Sequence, residues 1–269
     1  MAYKVGAVVY HEKVREIWAT FGEWFGEQGL DLQTVYFESY EDQVAALLAG
    51  RLHSAWNTNL AHVHTLAQAG DGTTALAMRD TDRGWRTHIV VRDDGKLTTL
   101  DDLAGLRVGF GDADSPQAQI LPVAFLRAQG IDPAEQWRCS RLDRDLGKHG
   151  DTGGAELAQL ARVRAGELDA SLLSAPMLDA VGALGDASAL RSVWTSPPYH
   201  HCCFTVLDGD DPDHSRFRAL LASMDPSDPR LCDAMELEYV NEWVDFDPSG
   251  YQTLIEAVAE GPIVVGDAG

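Results

Sequence analysis

The stretch Arg86-Thr87-His88-Ile89-Val90-Val91-Arg92, continued by Leu97-Thr98-Thr99-Leu100-Asp101-Asp102-Leu103-Ala104-Gly105-Leu106-Arg107-Val108-Gly109-Phe110, decides the fold. Residues 88–92, centred on the apolar, β-branched Ile89-Val90-Val91, predict a strand. Residues 99–103 predict a short helix ending before Gly105, and 107–110 a buried strand. A turn rich in Gly and Asp follows, then a helix over 116–129 closed by Gly130. Upstream, strands at 4–9, 32–37, 54–57 and 73–78 alternate with helices at 14–28, 41–48 and 59–69. Downstream, strands at 137–142, 169–173, 190–195 and 202–207 alternate with helices at 156–164 and 176–183, around a glycine-rich loop at 145–154. The rest is helical, at 215–222, 230–239 and 250–260. This order predicts an α/β protein of two lobes, each a parallel sheet with helices on both faces. Lobe 1 is 1–88 plus 205–269 and lobe 2 is 89–204, with the C-terminal helices packing back on lobe 1. Such a topology makes a cleft between lobes, where strand ends and helix N-termini converge on a ligand.

The 269 residues suffice for two such cores. Lys plus Arg is 21 against 42 Asp plus Glu, a net charge of −21. That charge repels a phosphate backbone and an anionic lipid face, so neither nucleic acid nor a membrane surface is an expected partner. It leaves room for a small anion at a local positive site. No apolar run reaches the roughly 18 residues of a membrane-inserted helix. The start, Met1-Ala2-Tyr3-Lys4-Val5, lacks the long apolar run and cleavage site of a signal peptide. The expectation is a cytoplasmic chain as written, or a periplasmic or lipoprotein one if a signal was removed. Cys139, Cys202, Cys203 and Cys232 form no disulfide framework and read as reduced thiols.

With its aromatic-x-x-x-Ile/Val-Val-Val pattern at 85–91 and its Leu-x-Asp-Leu-x-Gly segment at 100–105, the chain resembles the type 2 solute-binding proteins of the phosphate/phosphite/phosphonate group. Glu41-Asp42-Gln43, Gly50-Arg51-Leu52-His53-Ser54-Ala55-Trp56, Pro116 to Pro122 and Gly166-Glu167-Leu168-Asp169-Ala170 extend the resemblance over nearly the whole chain. It implies a two-lobed clamshell, a small-molecule ligand and, if the chain is exported, an ABC permease as partner. Two departures stand out. Phosphonate binders carry a Ser/Thr-rich turn where this chain has Asp114-Ser115-Pro116-Gln117, and Asp112 and Asp114 oppose an anion there. The ligand expected is then less charged, zwitterionic, or not a phosphonate. Relatives of this fold without a signal peptide include cytosolic enzymes, the thiamine pyrimidine synthases and the chorismate dehydratase of menaquinone synthesis.

Candidate site residues follow from strand ends and crossings. Tyr199-His200-His201-Cys202-Cys203-Phe204 falls at the second crossing. Strand alternation puts His200 and Cys202 on one face and His201 and Cys203 on the other, so the four do not ligate one ion, and no metal is expected. Tyr199, His200 and His201 are ligand or proton-transfer candidates. Trp56-Asn57-Thr58-Asn59 lies where a strand ends and a helix starts, fitted to capping or to a ligand. His62 and His64 point apart on their helix. Arg86 offers a fork for a carboxylate or phosphonate, and His88 an acid or base. In Gly147-Lys148-His149-Gly150-Asp151-Thr152-Gly153-Gly154, glycines allow close backbone approach, and His149 and Thr152 are the functional candidates. Ser115 and Gln117 open a helix; Tyr10 and Ser174 end strands. There is no P-loop order, no nucleophile elbow and no Gly-x-Gly-x-x-Gly after a strand, so no cofactor is expected. The reading is a protein that binds a small polar metabolite resembling a phosphonate, carboxylate or amino acid. The alternative is a cytosolic lyase or acid–base enzyme with His88, His149, His200 and His201 as proton carriers.

Overall fold

The computed structural model describes residues 2–184, 189–207 and 212–268. The chain divides into unit 1, Met1–Gly84 with His200–Tyr251, and unit 2, Trp85–Tyr199 with Gln252–Gly269. The crossings lie a few residues from the expected borders at 88/89 and 204/205, and a third falls at Tyr251/Gln252.

Unit 1 is built on a five-stranded sheet, β1 (Tyr3–Val8), β2 (Leu32–Phe37), β3 (Ser54–Asn57), β4 (Thr73–Ala75) and β11 (Cys203–Leu207), in the order β2-β1-β3-β11-β4. β1 runs parallel to β2 and β3, whereas β11 is antiparallel to β3 and β4, so the sheet is mixed rather than wholly parallel. Helix α1 (Lys13–Glu27) turns Ile17, Trp18, Phe21, Trp24 and Phe25 onto one face of this sheet, the 3.6-residue stripe read in the sequence. The other face is covered by α2 (Tyr40–Leu48) and α3 (Asn59–Ala69). Ser39 caps α2 through the Asp42 N–H and Thr58 caps α3 through the Ala61 N–H. The expected strand at 73–78 breaks at Leu76. Its second part, β5 (Ala77–Arg79), leaves the sheet to pair with β12 (Trp243–Asp245). The expected helix at 230–239 shortens to Cys232–Leu237, and Tyr239 adopts a left-handed φ of 57°.

Unit 2 carries a six-stranded sheet in the order β10-β6-β9-β7-β8-β13. Its strands are β6 (Thr87–Arg92), β7 (Arg107–Phe110), β8 (Arg138–Arg141), β9 (Ala170–Ser174), β10 (Leu190–Thr195) and β13 (Asp267–Ala268). β7, β8, β9 and β13 run parallel, and β6 runs antiparallel to β9 and β10. Helix α6 (Gly154–Ala165) packs on β6, β7 and β9, and α7 (Ala175–Ala183) on β9.

The expected helix at 116–129 forms as two pieces, a wide i→i+5 turn at Pro116–Ile120 and then α4 (Leu121–Ala128). Pro122 explains the division. It has no N–H to give to the Ala118 carbonyl, which instead accepts the Gly111 N–H at 3.0 Å. Gly111 follows β7, and a Cβ there would lie 2.6 Å from that of Ala118. The sequence thus stitches the turn onto the end of β7. The C-terminal helix α10 (Gln252–Glu260) does not return to the first lobe as expected. It buries Leu254 and Ala257 and packs on α4 and the wide turn, while β13 covers the edge of β8.

Candidate functional site

In unit 2 the C-terminal end of β7, the wide turn and the glycine-rich loop meet. Ser115 is buried and caps the turn, its Oγ accepting the Ala118 N–H at 3.1 Å. Gly150 (φ +79°) lies directly on Ser115 and Gln117; a Cβ there would stand 2.5 Å from Gln117 Nε2 and collide with Ser115 Oγ. Its neighbour His149 is buried with a left-handed φ of 52°, a conformation costly for a non-glycine residue and concentrated at functional sites. Thr152 is drawn inward, its hydroxyl donating to Asp145 Oδ2 at 2.7 Å and accepting the Gly154 N–H.

Asp112 and Asp114, read as opposing an anion, turn back onto this loop. Asp112 Oδ1 accepts the Arg144 and Asp145 N–H groups at 2.5 and 2.8 Å, and Asp114 Oδ2 accepts the Gly147 N–H at 2.5 Å. Burial pushes the Asp112 carboxyl up, and the two N–H groups pull it part of the way back. These acids hold the backbone of the loop.

Thr87 joins the turn to the crossing segment: its hydroxyl donates to the Gln117 carbonyl at 2.6 Å and meets the Tyr199 hydroxyl at 2.9 Å. Burial drives the Tyr199 pKa far upward, so its phenol stays neutral. Glu156, on α6, accepts the Ser174 N–H at 2.6 Å and lies close enough for its charge to act on Tyr199. Ser115, Gln117, His149, Thr152, Ser174 and Tyr199 are therefore gathered in unit 2 by the same few elements. Three buried atoms on the turn, Gln117 Oε1 and both side-chain polar atoms of Gln119, have no hydrogen-bond partner among the described residues. Unpaired buried amide atoms are costly, and three of them fall on this one turn. Gln119, Thr87 and Glu156 are absent from the sequence-derived set. The glycine-rich loop pointed near them, but no local pattern singles out such positions.

The side chains of Arg86 and His88 have other partners. Arg86 is exposed and donates to the Ser196 carbonyl at 2.7 Å; His88 Nδ1 contacts Thr195 Oγ1 at 3.0 Å. Burial lowers the His88 pKa, with Asp179 pulling it up and Arg86 pushing it down.

In unit 1 the expected residues make packing and capping contacts. Asn57 Oδ1 accepts from Gln43 Nε2 at 2.7 Å, Thr58 caps α3, and Asn59 Nδ2 donates to the His200 carbonyl at 2.9 Å. The Trp56 ring packs 4.7 Å from that of Phe204 and carries the Arg79 guanidinium 5.3 Å from its centroid. Tyr10 is half-buried past the end of β1. Lys13 Nζ stands 6.0 Å from its ring and 4.8 Å from the exposed Tyr239 ring.

Beneath them lies a buried charge network. Arg79 binds Asp82 with both Nε (2.6 Å) and Nη2 (2.8 Å), and reaches the Glu238 carbonyl and carboxylate at 2.6 and 3.3 Å. Burial alone would raise the Asp82 pKa, but the Arg79 charge and hydrogen bonds hold it at about 2. Glu238 is the weaker partner, and burial pushes it up to about 7 against Arg79 and Lys13. His201 Nδ1 stands 3.0 Å from Cys202 Sγ and 3.7 Å from Asp82 Oδ1. The donor atoms of Asp82, His201 and Cys202 lie within 4.8 Å of one another, and both Asp82 oxygens are already held by Arg79. The regular face-to-face alternation expected for 200–203 fails because β11 begins only at Cys203. His200 precedes it, with both ring nitrogens engaged, by Gly84 and Asp247.

No curated protein sequence matches the chain. Among solved structures, PhnD1 from Prochlorococcus marinus in complex with methylphosphonate superposes with a TM-score of 0.72 at 18% identity, covering 96% of this chain and 97% of that one. XAC2383 from Xanthomonas citri bound to ATP gives 0.72 at 20% identity, covering 96% and 97%. A binding-protein component of an ABC phosphonate transporter from Pseudomonas aeruginosa gives 0.65 at 14% identity, covering 96% and 85%. These likenesses establish the two-lobed α/β fold of type 2 periplasmic binding proteins. No helix among the described residues is long and apolar enough to cross a membrane. The sequence profile described as "ABC transporter, phosphonate, periplasmic substrate-binding protein" matches residues 7–261, nearly the whole chain, and the chain belongs to that family of small-molecule-binding proteins.

Proposed function

We propose that this chain binds a small polar solute with an oxyanion head group, of phosphonate, carboxylate or amino-acid type, as the solute-binding component of an ABC importer. Membership of the family over residues 7–261 carries the reading. The chemistry of unit 2 supports it: Ser115 and the unpaired Gln117 and Gln119 atoms offer donors and acceptors at one turn, and the loop that carries His149 packs on it through Gly150. Ser115, Gln117, His149, Thr152, Ser174 and Tyr199 form the ligand set of unit 2, and Tyr10 beside Lys13 that of unit 1. Buried carboxylates at Asp112 and Glu156 favour a head group that keeps a proton or brings an ammonium, over a bare dianion. The partner of such a component is a permease, and its working location is the periplasm.

The enzyme alternative has less support. Of its four proton carriers, His88 and His149 lie in unit 2 and His200 and His201 in unit 1. His88 and His201 each have a protein partner at Nδ1, and His200 has one at both ring nitrogens. The test is a thermal-shift and calorimetric panel of methylphosphonate, 2-aminoethylphosphonate, inorganic phosphate and glycine. A binder at 100 times its Kd adds about 2.7 kcal/mol of stability. Stabilisation by one of these that is lost in Ser115→Ala supports the proposal; a protein indifferent to the whole panel overturns it.

A further inference from the structure

The chain leaves unit 1 at three places: after Gly84, before His200 and after Tyr251. All three are fastened to one residue. His200 Nδ1 accepts the Gly84 N–H at 3.1 Å. The His200 backbone N–H donates to the Gly250 carbonyl at 3.2 Å, and its carbonyl accepts Asn59 Nδ2 at 2.9 Å. On the far side of the ring, Nε2 meets Asp247 Oδ2 at 3.2 Å, and the ring lies edge-on to Tyr251 with centroids 6.1 Å apart. Because Nδ1 accepts from Gly84, the ring proton sits on Nε2 and points at Asp247.

The surroundings are fitted to this ring. Gly250 packs on it so closely that a Cβ at 250 would collide with the imidazole. Asp247 is itself fixed, its Oδ1 accepting the Ser249 N–H at 2.9 Å; that backbone bond, with His200, holds its pKa at about 2. Asn59 is anchored at the first turn of α3 by the Leu60 N–H at 2.8 Å. One residue thus ties two crossing segments to its own, and all of them to a helix of the unit 1 core: the imidazole holds Gly84, Asp247 and Tyr251, and the backbone holds Gly250 and Asn59.

We propose that His200 is the positioning residue of the three inter-unit connections, fixing Gly84, its own segment and Gly250–Tyr251 as one piece so that they yield together or not at all. Solute affinity then depends on His200 although it touches no solute; this consequence, unlike the pinning itself, rests on the binding function proposed above. The sequence signal was the Tyr-His-His-Cys-Cys string, whose importance lies in anchoring rather than in proton transfer or metal ligation.

Amide hydrogen exchange on the ligand-free protein tests the pinning. In His200→Ala, exchange at Gly84 should rise about 100-fold while amides of β1, β3, β7 and β9 keep their protection. His200→Asn, which restores an acceptor near the Nδ1 position, should recover most of the Gly84 protection. Unchanged exchange at Gly84 in His200→Ala overturns the proposal. If that variant loses protection throughout unit 1, His200→Asn decides: Gly84 exchanging no faster than in the wild type supports the pin, and selective loss there despite the acceptor overturns it. Calorimetry with methylphosphonate is a separate arm. If the wild type binds it, His200→Ala should weaken binding at least tenfold; a wild type that does not bind refutes the solute reading and leaves the exchange result standing.

Discussion

Gly150 shows how much one missing carbon does in this molecule. Its left-handed backbone brings the loop onto Ser115 and Gln117, where a methyl group has no room. Gly150→Ala should weaken solute binding at least tenfold and cost about 1–2 kcal/mol of stability, from αL strain alone. Parallel calorimetry and thermal denaturation check both effects; unchanged affinity would mean that the loop does not touch the solute. Glu238 acts through charge instead. Its folded pKa of about 7 is above the ordinary carboxyl value of 4.5, so the folded state holds a proton that the unfolded chain has released. Its stabilising effect is full below pH 4.5 and is lost as pH rises toward 7. Glu238→Gln should flatten this fall and stabilise the protein at pH 7.5 by on the order of 1–3 kcal/mol. Urea unfolding across pH 4.5 to 8 reads the difference. Asp82 has the opposite sign, stabilising above its ordinary pKa of 3.8 and losing that effect as pH falls through about 2.

At the scale of elements, the sequence was most legible where one period governs a segment from end to end. β2, β3 and α3 are read to the residue, because alternation, a polar cap and a terminal glycine agree there. It was least legible where a distant partner decides. The break at Leu76 depends on β12, a three-residue strand more than 160 positions away, and β13 exists because the edge of β8 needs cover. The same division runs through the candidate site. Ser115, Gln117 and Tyr199 stand at element ends, where a one-dimensional reading looks. Glu156 and Gln119 lie inside helical segments, where they look like ordinary polar residues. Asn57 and Asn59, equally conspicuous in sequence, serve Gln43 and the His200 carbonyl. The wide turn at Pro116–Ile120 joins both lessons, since Pro122 was visible but its effect on Ala118 was not. Pro122→Ala would return an N–H that competes with Gly111 for the Ala118 carbonyl and draws the turn toward an ordinary helix. Stability should move by less than about 1 kcal/mol, because the new bond offsets the unfolded-chain entropy that proline removes. Methylphosphonate affinity should fall roughly tenfold, as about 1.4 kcal/mol of lost positioning implies. Calorimetry that finds full affinity in a stable Pro122→Ala would detach the turn from binding.

Over the whole molecule the governing quantity is charge. With 21 cations against 42 acids, the long-range field repels an anionic solute even if the site itself attracts it. Lys13 beside Tyr10 in unit 1 and Arg86, Arg144 and Lys148 in unit 2 are local exceptions within an acidic surface. The two fields act over different distances. Raising ionic strength from about 0.01 M to about 0.15 M shortens the screening length from roughly 30 Å to roughly 8 Å, which removes the distant acids before the adjacent cations. For a protein that binds an oxyanion under these conditions, the association rate should rise several-fold over that range while the dissociation rate changes little. Stopped-flow tryptophan fluorescence with methylphosphonate measures both. A rate that falls with salt would show that the few cations beside the strand ends dominate the approach. A solute that carries its own ammonium, such as 2-aminoethylphosphonate, should show a much flatter dependence, because the net field acts on its two charges in opposite senses. The contrast between the two solutes therefore identifies which head-group charge the acidic surface selects against.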